Sequence, residues 1–284
     1  MRLFVFNDYR LGVLTASDRL ADITELAGTG VPARDRMTGL IANWPGIRDR
    51  VAAAAAADTA GVPVARAVIR APQPRPPKIV AAPVNYRLHQ QEMGGAGGVY
   101  SGAAIKTIET YAGFIKASSS VAGPDCHIEL PFPDRRVDHE AELGVVVGRP
   151  AARVGRDAAL GHVFGYVPLL DITMRGEEDR SYRKSFDTFT PIGPAIVTAD
   201  EVPDPGRLDI ELTVNGEPRQ KANTRELIYD VPRLIEFYSA AMTLEPGDLI
   251  ATGTPAGVGP LHPGDQIILE IEQVGRLSMR VSSR

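Results

Sequence analysis

The densest chemistry in the chain lies in VDHEAELGVVVG, residues 137–148. Read as a strand, its side chains alternate between two faces. Val137, His139, Ala141, Leu143 and Val145 share one face; Asp138, Glu140, Glu142 and Val146 share the other. Glu140 and Glu142 are then neighbours, roughly 6.5–7 Å apart at Cα. Two carboxylates that close on an apolar strand repel, and a hard divalent cation held between them removes the repulsion. The plain alternative is an exposed polar strand face. A third carboxylate, Asp171, follows the apolar run Val163–Leu170 in GYVPLLDITMR, where a charge marks either the mouth of a site or an ordinary turn or helix cap. Three carboxylates, few histidines and no usable cysteine point to Mg2+ or Mn2+ rather than Zn2+.

In NYRLHQQEMGG, residues 85–95, Asn85 is placed to cap a short helix and Gly94 to end it. His89 and Glu92 are then i, i+3 neighbours. A carboxylate beside an imidazole fixes its tautomer and raises its basicity, which suits His89 to activating water near neutral pH; the alternative is a surface salt bridge. GGAGG, residues 94–98, is flexible enough to make this helix part of a mobile lid. TGTPAGVG, residues 252–259, offers exposed backbone N–H groups and two threonine hydroxyls to a carboxylate or enolate, or is simply a tight loop between strands. It lacks the Gly-Lys-Ser/Thr ending of a phosphate-binding loop. Lys184, in KSFDTFTPIGP, and Lys116, in GFIKASSS, are either surface lysines or amines that pair with a substrate carboxylate or a developing oxyanion.

The elements that must position these residues fall into three stretches. Residues 1–70 read as a small N-terminal α/β domain: two short strands (Leu3, Val5; Leu11, Val13) around an Asn7-Asp8 turn, then a helix through Ala52–Ala57. APQPRPPK, residues 71–78, is half proline and reads as a stiff linker. Residues 79–284 read as a second, larger domain, with strands at Ile79–Ala82, Val137–Val147, Val163–Leu170, Ile210–Val214, Leu249–Thr252, Gln266–Glu272 and Leu277–Val281. Asn215-Gly216 signals a hairpin. One helix stands out, Val231–Leu244, with Asp230 as cap, Pro232 in its first turn and Pro246-Gly247 as its stop. Strands outnumber helices without βαβ alternation, so the predicted class is α+β, β-dominated.

The 284 residues carry 31 Lys and Arg against 35 Asp and Glu, a net charge of −4 that disfavours a nucleic-acid binder. No apolar run approaches ~18 residues, so no membrane span is expected. The single cysteine, Cys126, excludes an intrachain disulfide; it fits a reducing cytoplasm and is also compatible with export. The opening MRLFVFNDYRLGVL is broken by Asn7, Asp8 and Arg10 and does not read as a signal peptide.

The motifs in their order, NYRLHQQEMG, FIKASSS, DHEAELGVVVG, GYVPLLDITMR, KSFDTFTPIGP and TGTPAGVG, closely resemble those of the fumarylacetoacetate hydrolase family over residues 78–284, and the N-terminus is similar to that of its shorter bacterial members. The resemblance implies a mixed β-roll or sandwich around a metal site, usually in a homodimer. It implies Mg2+, Mn2+ or sometimes Ca2+ held by Glu140, Glu142 and Asp171. His89 would be the general base, Glu92 its partner, and Lys184 a catalytic or substrate-binding amine. Thr254, Gly253 and Lys116 would contact substrate. The implied reaction is metal-dependent hydrolysis of a carbon–carbon bond in a 1,3-diketo acid, an acylpyruvate or fumarylpyruvate-like compound, in aromatic or other carbon catabolism. The alternative is decarboxylation of an oxaloacetate-like 2-oxo acid or isomerisation of a 2-hydroxydienedioate on the same metal. The chain departs from the family where an Asn usually precedes the metal Asp and a Ser-Ala-Arg-Asp run follows it. Here Leu170 precedes Asp171 and Ile172-Thr173-Met174-Arg175-Gly176 follows, so the wall beside the metal differs.

Overall fold

The alternating and continuous apolar runs do form strands, and two large sheets hold most of the strands. The computed structural model describes residues 1–57, 61–96 and 98–284. A ten-stranded sheet runs in the order Val62–Pro63, Arg19–Asp22, Arg10–Leu14, Arg2–Phe6, Ile196–Thr198, Val163–Leu170, Ala141–Val147, Leu249–Ala251, Ile79–Ala81, Phe114–Lys116. A five-stranded sheet runs Glu217–Asn223, Asp209–Val214, Gln266–Ile271, Gly275–Ser283, His127–Leu130. The Asn215-Gly216 hairpin forms as expected, both residues adopting positive φ (55° and 83°) between paired strands. The strand-dominated α+β class holds.

Two apolar layers cover the two faces of the large sheet. Leu143, Val145 and Tyr166 pack with Ile210, Leu212, Leu269 and Leu277 of the five-stranded sheet. Leu3, Val146, Val167 and Leu249 pack on the opposite side with Met37, Leu40, Ile41, Ile47 and Val51 from the helices Arg36–Ala42 and Trp44–Ala57. The central strand Ala141–Val147 is therefore buried along its whole length.

Three local expectations change. The run 137–147 is two strands, not one: Val137–His139 leaves the large sheet to pair with Thr173–Met174 and Gly259–Pro260, and the chain breaks at Glu140. The helix at Val231 ends at Ala241 rather than 244, because Leu244 forms a two-way backbone bridge with Ala151. Asp230 and Pro232 start it as expected, with the Asp230 carboxylate accepting from the Arg233 N–H at 3.0 Å. Asn85 does not cap the helix Arg87–Gly94. Its amide donates to the carbonyls of Tyr229 and Thr252 and accepts from the Tyr229 N–H, tying three segments together. Of the glycine run, Gly97 lies outside the described residues.

Residues 1–70 edge the large sheet through pairing of Arg2 and Leu3 with Val197 and Ile196. The proline-rich stretch 71–78 has no regular helix or strand and is packed down at its start, where buried Gln73 donates to Thr38 Oγ1 and the Gly247 carbonyl.

Candidate active site

Strand register explains why three carboxylates meet. Ala141 pairs with Leu170 in the antiparallel ladder, so the next residue on each side, Glu140 and Asp171, comes opposite its counterpart; the Asp171 N–H donates to the Glu140 carbonyl at 2.9 Å. Glu142 lies two residues along from Glu140. One carboxylate oxygen from each of Glu140, Glu142 and Asp171 lies within 4.8 Å of the others, and all three side chains are buried. The exposed-strand alternative is thereby removed.

The two lysines beside these carboxylates are equally buried. Lys184 Nζ donates to Glu140 Oε2 at 2.7 Å and to Asp171 Oδ2 at 2.6 Å. Lys116, 1 % exposed, pairs with Asp171 and donates to the Phe189 carbonyl at 2.8 Å. Arg175 spans Glu140 Oε1 (2.9 Å) and Asp138 Oδ2 (2.7 Å), and Asp138 also holds Arg136. Neither lysine is a surface residue.

These contacts split the acids. Burial alone would raise the Glu140 carboxyl, but Lys184 and Arg175 outweigh it and hold the group far below the usual range. For Glu142, burial and then the neighbouring Asp171 push the carboxyl well above its ordinary value, against the Gly253 N–H it accepts at 2.7 Å. Burial likewise lowers the Lys116 ammonium, opposed by Asp171. A buried site with one carboxyl forced toward its neutral form beside two others fits a hard dication, whose charge would let all three ionise.

Across from the triad, the helix Arg87–Gly94 brings His89 into the same cavity, of about 270 Å³, whose wall also includes Glu140, Glu142, Lys184, Arg175 and Thr254. His89 Nδ1 lies 3.2 Å from Glu92 Oε2, and the other Glu92 oxygen accepts from the Gly257 N–H at 2.8 Å. Glu92 thus orients the imidazole and fastens this helix to the glycine-rich loop. His89 is buried, so the surface-salt-bridge alternative fails.

The glycine-rich loop is a working part of the wall. Gly253 has φ +97°, and a Cβ there would come within 2.6 Å of Asn85 Cβ. Its amide serves Glu142 rather than the open cavity. Thr254 lines the cavity, and its hydroxyl accepts from Gln220 Nε2 at 2.8 Å. Gln220, 1 % exposed, also accepts from the Ala141 N–H at 2.9 Å and lies 3.1 Å from His139 Nδ1. Sequence reading missed Gln220 because it comes from the five-stranded sheet. It also missed the aromatic and basic residues of the cavity wall, Tyr100, Tyr111, Arg180 and Arg183. The charged stretch after Arg175 was the available signal for the last two.

Fold and site together define a β-rich protein with a buried carboxylate centre for an oxygen-ligated dication, faced by a His–Glu pair. Comparison with known proteins narrows this. Residues 78–282 match the C-terminal domain of fumarylacetoacetate (FAA) hydrolase. The chain is 41% identical to the maleylpyruvate hydrolase of Aquipseudomonas alcaligenes over the full length of both. It superimposes on the crystal structure of maleylpyruvate hydrolase from Sphingobium sp. SYK-6, in complex with manganese(II) and pyruvate, with TM-score 0.86 and 42% identity, covering 100% of this chain and 99% of that one. The oxaloacetate tautomerase of Bacillus subtilis is 37% identical over 75% of this chain and 72% of its own. The chain belongs to the fumarylacetoacetate hydrolase family.

Proposed function

We propose that the protein is a divalent-metal-dependent acylpyruvate hydrolase that cleaves the carbon–carbon bond of a 1,3-diketo acid of the maleylpyruvate or fumarylpyruvate kind. The observation that carries this reading is the His89–Glu92 pair lining one cavity with the three-carboxylate centre. Full-length similarity to maleylpyruvate hydrolases supports it. Glu140, Glu142 and Asp171 would hold Mg2+ or Mn2+, and the manganese in the Sphingobium enzyme favours Mn2+ as the first metal to test. When bound, the metal supplies positive charge that polarises the 2-oxo acid and stabilises developing enolate.

The chain's own groups supply the rest. With Nδ1 directed to Glu92, His89 has its Nε2 lone pair available to take a proton from water, which attacks the carbonyl remote from the pyruvoyl carboxylate. A C–O bond forms and the adjacent C–C bond breaks. One fragment leaves as a carboxylic acid and the other as the enolate of pyruvate. The proton held at His89 then returns to the enolate carbon, giving pyruvate. Lys184 and Thr254 face the substrate's oxygens, and Lys116 acts from behind Asp171.

Similarity to an oxaloacetate tautomerase favours a second reading, keto–enol isomerisation on the same centre, which needs a proton shuttle but no attacking water. A turnover panel with Mg2+ or Mn2+, and with EDTA, separates them: maleylpyruvate, fumarylpyruvate, acetylpyruvate and oxaloacetate, with product analysis. Metal-dependent cleavage of an acylpyruvate supports the hydrolase. Tautomerisation or loss of CO2 from oxaloacetate without acylpyruvate cleavage rejects it. His89→Ala is expected to abolish hydrolysis; normal hydrolysis by that variant would remove His89 as base. The reading takes the enzyme to be a cytoplasmic homodimer, and sedimentation at low micromolar concentration tests the dimer.

A further inference from the structure

The acids and bases around the carboxylate centre are matched. Glu140, Glu142, Asp171 and Asp138 face Lys116, Lys184, Arg175 and Arg136, and Glu140, Asp171 and Asp138 are each directly bonded to a cation. Two further guanidiniums on the same cavity wall are not matched. Arg180 and Arg183 stand three residues apart on the short helix Arg180–Arg183. Arg183 is 6 % exposed; its Nε is buried without a hydrogen-bond partner, and one terminal nitrogen reaches the Met174 carbonyl at a long 3.5 Å. The Arg180 guanidinium stacks on the Tyr111 ring at 4.2 Å. Among the described residues, no carboxylate forms an ion pair with either arginine. The acids just before them are engaged elsewhere, Glu178 with Arg135 (2.9 Å) and Asp179 with the Ser181 N–H (2.7 Å). A largely buried guanidinium that lines the cavity without a carboxylate partner, with a second one held by an aromatic face on the same helix, suits an anion that the protein does not itself provide.

We infer that Arg180 and Arg183 form a subsite for a second carboxylate of the substrate, making the enzyme selective for acylpyruvates whose acyl group is itself a carboxylic acid. This rests on the hydrolase reading above for its substrate, but not for the anion site itself. The 2-oxo acid end of such a substrate belongs with the carboxylate centre, Lys184 and Thr254. Arg180 and Arg183 lie on the charged stretch that follows Arg175, and Tyr111 lines the same cavity.

The test uses the manganese-loaded enzyme, with maleylpyruvate as diacid and acetylpyruvate as its one-carboxylate counterpart. Arg183→Gln is expected to lower kcat/KM for maleylpyruvate about 10- to 100-fold, chiefly through KM, while acetylpyruvate changes less than about threefold. Arg183→Lys, which keeps the charge, is expected to recover part of the loss. Arg180→Gln, at a less buried position, is expected to shift selectivity the same way by a smaller factor. Equal losses on both substrates, or none on either, would overturn the proposal. A readout independent of turnover is calorimetric binding of maleate against (Z)-but-2-enoate, which lacks one carboxylate. Maleate is expected to bind more tightly to wild type and to lose about tenfold or more in Arg183→Gln. Unchanged maleate binding in a variant with a native melting curve would reject the subsite. If wild type cleaves neither acylpyruvate, the hydrolase reading fails, and the binding arm still decides whether the anion site exists.

Discussion

Replacing Glu142 by Gln tests whether the three carboxylates are held together for a cation or for the fold. Glutamine is nearly isosteric, and its carbonyl can still accept the Gly253 N–H that Glu142 now takes at 2.7 Å. It removes a buried group, 1 % exposed, whose ionisation beside Asp171 and Glu140 is disfavoured without a counter-charge. In EDTA, Glu142→Gln is therefore expected to melt at or slightly above the wild-type temperature. With Mn2+ at 100 times its dissociation constant, wild type gains about 2.7 kcal/mol by mass action. At about 2–4 °C per kcal/mol, that is a rise of roughly 5–10 °C. If losing one ligand weakens the site about a hundredfold, the variant at the same Mn2+ concentration keeps only about 0.4 kcal/mol, a rise of about 1–2 °C. Circular dichroism melts of both proteins, with EDTA and with Mn2+, supply the four numbers. A variant that gains as many degrees from Mn2+ as wild type would refute Glu142 as a ligand. One that melts more than about 5 °C below wild type in EDTA would refute the claim that the carboxylate is not there for the fold.

Glu92→Gln keeps the acceptor for the Gly257 N–H but weakens the base's partner; kcat for hydrolysis is expected to fall about 10- to 100-fold with KM and melting temperature nearly unchanged, measured by loss of enol absorbance. Gln220→Leu strips partners from the Thr254 hydroxyl and the Ala141 N–H in a fully buried place, so denaturant unfolding should show a loss of about 2–3 kcal/mol together with a raised KM. Gly253→Ala forces a Cβ into Asn85 at a φ of +97°; a loss of about 3 kcal/mol or more and weakened metal binding are expected from melts with and without Mn2+.

What could be read from the sequence was whatever a short stretch of chain decides by itself. Glu140 and Glu142 are two apart, His89 and Glu92 three apart, and those spacings put the first pair on one face of a strand and the second on one side of a helix. Asp171 was legible as a charge at the end of an apolar strand, but its place opposite Glu140 is a consequence of antiparallel register, Ala141 against Leu170, which no local pattern states. The same limit hid the pairing of Leu3 with Ile196, which joins the N-terminal strands to the large sheet. It also hid Gln220, which reaches Thr254 across 34 residues of sequence and His139 across 81. Asn85 was misjudged for a related reason. As a residue ahead of a helix it has every local qualification to cap, yet three backbone groups from Tyr229 and Thr252 occupy its amide and leave the helix start uncapped by any side chain. Arg183 differs from all of these: what marks it is a missing partner rather than a present one, visible only once burial is known. A reaction centre whose own charges are nearly matched, with two unmatched cations on the same wall, divides the chemistry from the selectivity. On the proposed reading, the matched group would take the 2-oxo acid end of the substrate, and the unmatched arginines would be where this chain chooses among substrates.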